Sequence, residues 1–258
     1  MCTDCGCGDT DLVPVEVQHK ILAGNDKLAQ HNREHFVEAG VLAINLMGSP
    51  GAGKTAILEA TARHQQGWKL SALAGDLATD RDAARLEKAG IPSKAITTGS
   101  ACHLDAKMVH NALHDVAING LDVMFVENVG NLVCPAVYDL GQAANVVALA
   151  VTEGEDKPIK YPTMFRKADL VLITKADLLP HLDIDLAAIK DALEHSMPEP
   201  RVIVVSARTG EGVEEWIAWL AEQRAKLGRP AAAAAPHHAE GHHHHGHGHG
   251  HGHGGRSH

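Results

Sequence analysis

The stretch "VLAINLMGSPGAGKT", residues 41–55, decides the fold. An apolar run too short for a helix, rich in Val, Leu and Ile, reads as a buried strand. It runs into Gly48–Thr55, "GSPGAGKT", and a helical pattern follows. Strand, glycine-rich turn and helix in that order is the context in which Gly-x4-Gly-Lys-Thr spacing makes a P-loop. Gly48, Ser49, Pro50, Gly51, Ala52 and Gly53 form the expected phosphate cradle, whose amides curl around anionic oxygens at the positive end of the helix. Lys54 is expected to reach the β and γ phosphates as a catalytic charge, and the Thr55 hydroxyl to bind Mg²⁺.

Outward from that loop, strand-like runs alternate with helical patterns between about residues 40 and 228. They are "VLAINLM", "KLSALAG", "DVMFVEN", "NVVALAV", "DLVLIT" and "RVIVVSA". Helices between parallel strands predict an α/β fold with a mostly parallel, doubly wound sheet. Only 3% of residues are aromatic while 45% are hydrophobic, mostly Ala, Val, Leu and Ile, which suits helices packed on such a sheet. Residues 13–39 include "EVQHKILAGNDKLAQHNREHF", which reads as one or two short amphipathic helices. Residues 1–12 hold Cys2, Cys5 and Cys7 and read as a flexible arm.

Residues 229–258 form an Ala/Pro linker and a Gly-His tail with no apolar face to bury, expected to be disordered without metal. Its His242, His243, His244, His245, His247, His249, His251 and His253 are candidates for metal storage, the alternative being an added purification tag.

Two carboxylates end later strands, where ligands gather in open parallel sheets. Asp76 ends "LSALAGD" and Glu127 ends "VMFVE". Both are candidate Mg²⁺ ligands, since a hard cation keeps one or two such oxygens beside phosphates; the alternative is a solvated strand end or a helix cap. Asp76, or its neighbours Asp80 and Asp82, is the candidate for orienting the attacking water. Gly130 in "ENVGN" stands where an amide could sense a γ-phosphate. In "ITKAD", Asp177 can accept from the N1 and N2 edge of guanine while Lys175 covers the base, which favours GTP and GDP over adenine nucleotides. Thr174 occupies the place where the usual GTPase motif has Asn, a change expected to weaken one polar contact. Ser206 and Ala207 open "SARTGEG", which resembles the loop that sets an amide near guanine O6.

Five cysteines, an odd number, point to metal ligands or buried thiols instead of a disulfide framework. Cys102 and His103 lie in "GSACHLDA", at the start of a helical pattern, and Cys134 lies in "NLVCPAVYD", just past Gly130. Together they could bind Zn²⁺ or Ni²⁺; otherwise they are buried packing residues. A ligand on the segment after "ENVGN" would move with the γ-phosphate, so metal and nucleotide are expected to be coupled. A net charge of −9 without a Lys/Arg block excludes nucleic acid as a natural partner. No apolar run is long enough to span a bilayer and the start is unlike a signal peptide, so no membrane association and a cytoplasmic location are expected.

These motifs resemble the hydrogenase nickel-incorporation GTPases of the HypB family. The likeness rests on "CTDCGC", "GSPGAGKT", "GDLATDRDA", "TTGSACHLDA", "ENVGNLVCPAVYDLG", "KYPTMF", "TKADLLP" and "SARTGEG", in that order. It implies a P-loop NTPase fold of the SIMIBI type and GTP hydrolysis coupled to Ni²⁺ delivery to the large subunit of [NiFe] hydrogenase. It further implies a homodimer, a HypA-type maturation partner, a tight nickel site at Cys2, Cys5 and Cys7, and a weaker nucleotide-linked site at Cys102, His103 and Cys134. The urease accessory GTPases share a P-loop and a Cys-Pro segment, but theirs continues with His where Ala136 follows Pro135 here.

Overall fold

The computed structural model describes residues 15–65 and 67–228; the Cys2, Cys5 and Cys7 arm and the His-rich tail lie outside the described residues. Helix α1 (Val15–Ala39) leads into β1 (Leu42–Gly48), and the P-loop turn opens α2 (Lys54–His64). Then come β2 (Leu70–Asp76), α3 (Arg81–Lys88), β3 (Ser93–Thr97), α4 (Ala106–Leu113) and β4 (Val123–Glu127). After β5 (Ala144–Ala150) follow two short helices, α5 (Lys157–Lys160) and α6 (Pro162–Arg166). The fold closes with β6 (Leu170–Thr174), α7 (Leu186–Ser196), β7 (Val202–Val204) and α8 (Val213–Lys226).

The seven strands form one sheet in the order β3-β2-β4-β1-β5-β6-β7, and every strand pairing in it is parallel. The first strand is buried along its whole length, as its apolar run requires. Its side chains alternate between faces. Leu42, Ile44 and Leu46 pack with Ile57 and Leu58 of α2 and with Trp216 and Leu220 of α8. On the opposite face Ala43 joins Phe36 of α1 and Val109 of α4, and Met47 joins Phe165 of α6 and Leu193 of α7. Strand order reverses at β1, so the loop leaving its carboxyl end opens at the switch point between β4 and β5, where ligands of doubly wound sheets bind.

All six expected strands are present. The seventh, β3, was not expected, because on this sheet edge Ile96 alone among its residues is buried and no apolar alternation marks it. The segment before β1 is a single helix of 25 residues. Cys102 and His103 precede α4 instead of starting it; Asp105 is the N-cap, accepting from the Met108 amide at 2.7 Å. Among the described residues no helix is long and apolar enough to cross a membrane.

Candidate functional site

At the carboxyl end of β1 the chain turns through Gly53, at φ 90°, into α2. Lys54 is almost fully buried, and its Nζ donates to the carbonyls of Gly48 at 3.2 Å and Ser49 at 3.1 Å. Burial lowers its pKa, and the nearby acids Glu127, Asp82 and Glu153 act against that shift. Ser49 donates to Glu153 Oε2 at 2.5 Å, and Glu153 Oε1 accepts from the Ala150 amide at 2.9 Å. Glu153 thus braces the loop from the end of β5. Sequence reasoning missed it; an acid two residues past the apolar run that ends at Val151 was the available signal.

A cavity of about 420 Å³ opens over this loop, lined among others by Lys54, Thr55, Asp76, Asp82, Glu127 and Gly130. The Thr55 hydroxyl has one proton but lies 2.7 Å from Glu127 Oε1 and 3.0 Å from Asp82 Oδ1. Glu127 Oε2 is the only buried side-chain polar atom without a hydrogen-bond partner among the described residues. Burial pushes the Glu127 carboxyl up to about 7, against the pull of Thr55 and Lys54. An under-satisfied buried carboxylate beside a hydroxyl and a second carboxylate is an oxygen donor set that fits a hard divalent cation such as Mg²⁺.

Asp76 is placed differently. Its carboxylate accepts from the amides of Ala78 at 2.9 Å and Thr79 at 3.1 Å, and these bonds hold its pKa below the usual range. It lines the cavity, but the acid that joins Glu127 at the Thr55 hydroxyl is Asp82.

A second cavity of about 200 Å³ adjoins the first, lined by Gly53, Thr174, Lys175, Asp177, Ala207 and Arg208 among others. Ser206 donates to Asp177 Oδ1 at 2.6 Å, and this bond, with Arg208 at 3.6 Å, holds the Asp177 carboxyl ionised below its ordinary range. Lys175 is the one non-glycine residue with positive φ among those described, at 58°. Thr174, buried, donates to the Ala52 carbonyl at 2.6 Å, joining the base-side strand to the P-loop.

Cys102, His103 and Cys134 converge, their donor atoms lying within 4.8 Å of one another; among the described residues they are the only such set of three or more His, Cys, Asp or Glu. Cys102 Sγ is 4.0 Å from His103 Nδ1, and the His103 ring stacks on Tyr138 with centroids 4.0 Å apart. Two thiols and an imidazole suit a borderline or soft late transition metal. The Cys134 segment is tied to the P-loop. Asn131 pairs with Gly48, donating its amide to the Gly48 carbonyl at 3.1 Å. A Cβ at Gly130 would lie 2.8 Å from Pro50 Cα, so only glycine permits the approach.

Comparison with known proteins places this geometry. The model of the CobW/HypB/UreG nucleotide-binding domain matches residues 42–204. The HypB hydrogenase maturation factor of Azotobacter chroococcum is 49% identical over 216 residues, covering 81% of this chain and 69% of the relative. The chain belongs to the HypB family. HypB of Escherichia coli K12 is 43% identical, with 81% of this chain and 73% of that one covered. The solved Helicobacter pylori HypB, a complex with nickel, superposes with a TM-score of 0.76 at 39% identity over 81% of this chain and 98% of that one. The domain match spans the P-loop, Glu127, the sulfur and imidazole trio and Asp177, while Ser206 and Ala207 lie just beyond it.

Proposed function

We propose that the chain hydrolyses GTP and uses the cycle to take up and release nickel for insertion into the large subunit of [NiFe] hydrogenase. The observation that carries this reading is the pairing of Gly48 with Asn131, reinforced by the contact of Gly130 with Pro50. Three residues on from Asn131, the backbone reaches Cys134. Phosphates seated in the P-loop would press on Gly130, so the segment bearing one thiolate would shift with nucleotide state.

In hydrolysis, Lys54 and the P-loop amides hold the β and γ oxygens and stabilise charge that develops on them as water attacks in line. Thr55, Glu127 and Asp82 would hold Mg²⁺, which when bound supplies further charge neutralisation at the phosphates. Asp76, at the mouth of the same cavity, remains the candidate for orienting the water. The ionised Asp177 selects guanine through its N1 and N2 donors, with Lys175 over the base and the Ser206–Ala207 loop near O6. Donor chemistry at Cys102, His103 and Cys134 accepts either Ni²⁺ or Zn²⁺.

Exposed Leu77, which lines the P-loop cavity, and exposed Val133 and Val137, which flank the Cys134 turn, at 44%, 48% and 43%, favour pairing of two copies there. The tight Cys2, Cys5 and Cys7 arm, the storage tail, the HypA-type partner and a cytoplasmic location complete the proposal. Its test is a nickel titration with and without a non-hydrolysable GTP analogue, followed by thiolate absorption and oligomeric mass. The analogue should change both the nickel midpoint and the mass. Superimposable curves would remove the coupling.

A further inference from the structure

A second group of metal donors lies away from the nucleotide, on the seam between α1 and α4. On α1, His31 and His35 stand one turn apart with their Nε2 atoms 3.0 Å from each other. Facing them, His110 of α4 and His114 at its C-cap have Nε2 atoms 3.3 Å apart. Ring centroids run in a chain: 4.5 Å from His35 to His31, 5.2 Å from His31 to His110, and 4.8 Å from His110 to His114. Two imidazole nitrogens bound about 2.0–2.1 Å from one ion sit about 3.0–3.4 Å apart, with ring centroids about 4.5–5 Å apart. Both pairs already have that spacing.

The buried residue between the helices sets the tautomer of one ring. Asn32 is fully buried, and its Nδ2 donates to the carbonyls of Ala106 at 2.9 Å and Leu140 at 3.1 Å. Those two bonds fix the amide orientation, so Oδ1 is the atom that faces His110 Nδ1, at 3.2 Å. An amide oxygen can only accept, so Nδ1 of His110 carries the proton and Nε2 presents its lone pair toward His114. A ring nitrogen anchored on a carbonyl-type oxygen while the other faces outward is the arrangement that prepares histidine for metal.

We propose that His31, His35, His110 and His114 form a site for a late first-row divalent ion, Ni²⁺ or Zn²⁺, that bridges α1 to α4. Four imidazoles and no thiolate suit such ions and exclude Mg²⁺ as a competitor. The donors are not all gathered around one point, so a shared ion requires the exposed His31 and His114 rings to turn from their present positions. An ion there pins α1, which also holds Asp139 of the Cys134 segment, Asn25 donating to its backbone carbonyl at 2.8 Å and Arg33 Nη2 donating to both carboxylate oxygens at 2.9 and 2.7 Å. This site is therefore separate from the sulfur-containing trio yet braces the segment beneath it.

The test is footprinting of the full-length chain with diethyl pyrocarbonate, read per peptide by mass spectrometry while Zn²⁺, and separately Ni²⁺, is raised from a chelated baseline. His31, His35, His110 and His114 should lose reactivity together with one midpoint, while the exposed His195 remains reactive. In His31→Gln, a substitution at an exposed ring, protection of His110 and His114 should need more metal, by more than the about tenfold that loss of an outer-shell partner costs a site. Unchanged reactivity of His110 and His114 at saturating Zn²⁺ and Ni²⁺ overturns the site. Undiminished protection of that pair in His31→Gln overturns the bridge, since hydrogen-bonded or singly chelating pairs would act independently.

Discussion

At the scale of single residues, Glu127 concentrates the tension in the site. Its carboxyl is raised from 4.5 to about 7 by burial, so the fold favours its neutral form. The sign follows: this contribution is full below pH 4.5 and is lost as pH rises through about 7, an effect on the order of 3 kcal/mol. In chelator, the wild-type urea midpoint should fall across that window, and Glu127→Gln, neutral throughout, should flatten the fall; parallel slopes would contradict the assignment. Part of this was legible from the chain. Glu127 was identifiable because it ends an apolar strand-like run, and the structure pairs that strand with β1. Asp82 was considered only for orienting water, because its approach to Thr55 depends on how α3 returns after Asp76, a tertiary fact with no local signature. Asp76 looked equivalent from its strand-end position, but the Ala78 and Thr79 amides both bond its Oδ1 and turn that oxygen toward its own loop.

At the scale of elements, the strands were legible wherever both sheet faces are covered, since burial then writes a continuous apolar run. At the β3 edge the constraint disappears, and β3, with one buried side chain, leaves no such trace, whereas the opposite edge strand β7 keeps the apolar run "VIVV". Helix α1 was underestimated because Gly24 and the polar residues around it weaken local propensity; its packing on α4 and β1 supplies what propensity lacks. The link between Cys102–His103 and α4 rests on the Asp105 cap. Asp105→Ala should cost about 1 kcal/mol, measured as a shift in denaturant midpoint, whereas Asp105→Asn should be nearly neutral. Because the cap lies two residues after His103, the alanine variant should also weaken metal at Cys102, His103 and Cys134 more than the asparagine variant does.

At the scale of the whole molecule, one rim of an all-parallel sheet carries the P-loop, the cavity at Asp177 and the Cys134 segment, so mechanical contact among them is short. Gly130→Ala tests that contact. Its methyl would sit 2.8 Å from Pro50 backbone atoms, forcing the loops apart at a cost of about 1–3 kcal/mol. The variant should retain a metal site, but its nickel curve should no longer respond to a GTP analogue; a preserved response would show that the signal travels elsewhere. The Thr174 hydroxyl on the Ala52 carbonyl has a further effect. On the proposed reading it works like the locked screw of a caliper, holding the jaw that would grip the purine at a set span from the jaw that would grip the polyphosphate. Only a ligand whose ribose has the matching reach can fill both jaws at once, and guanosine offered together with loose pyrophosphate forfeits the advantage of the covalent tether.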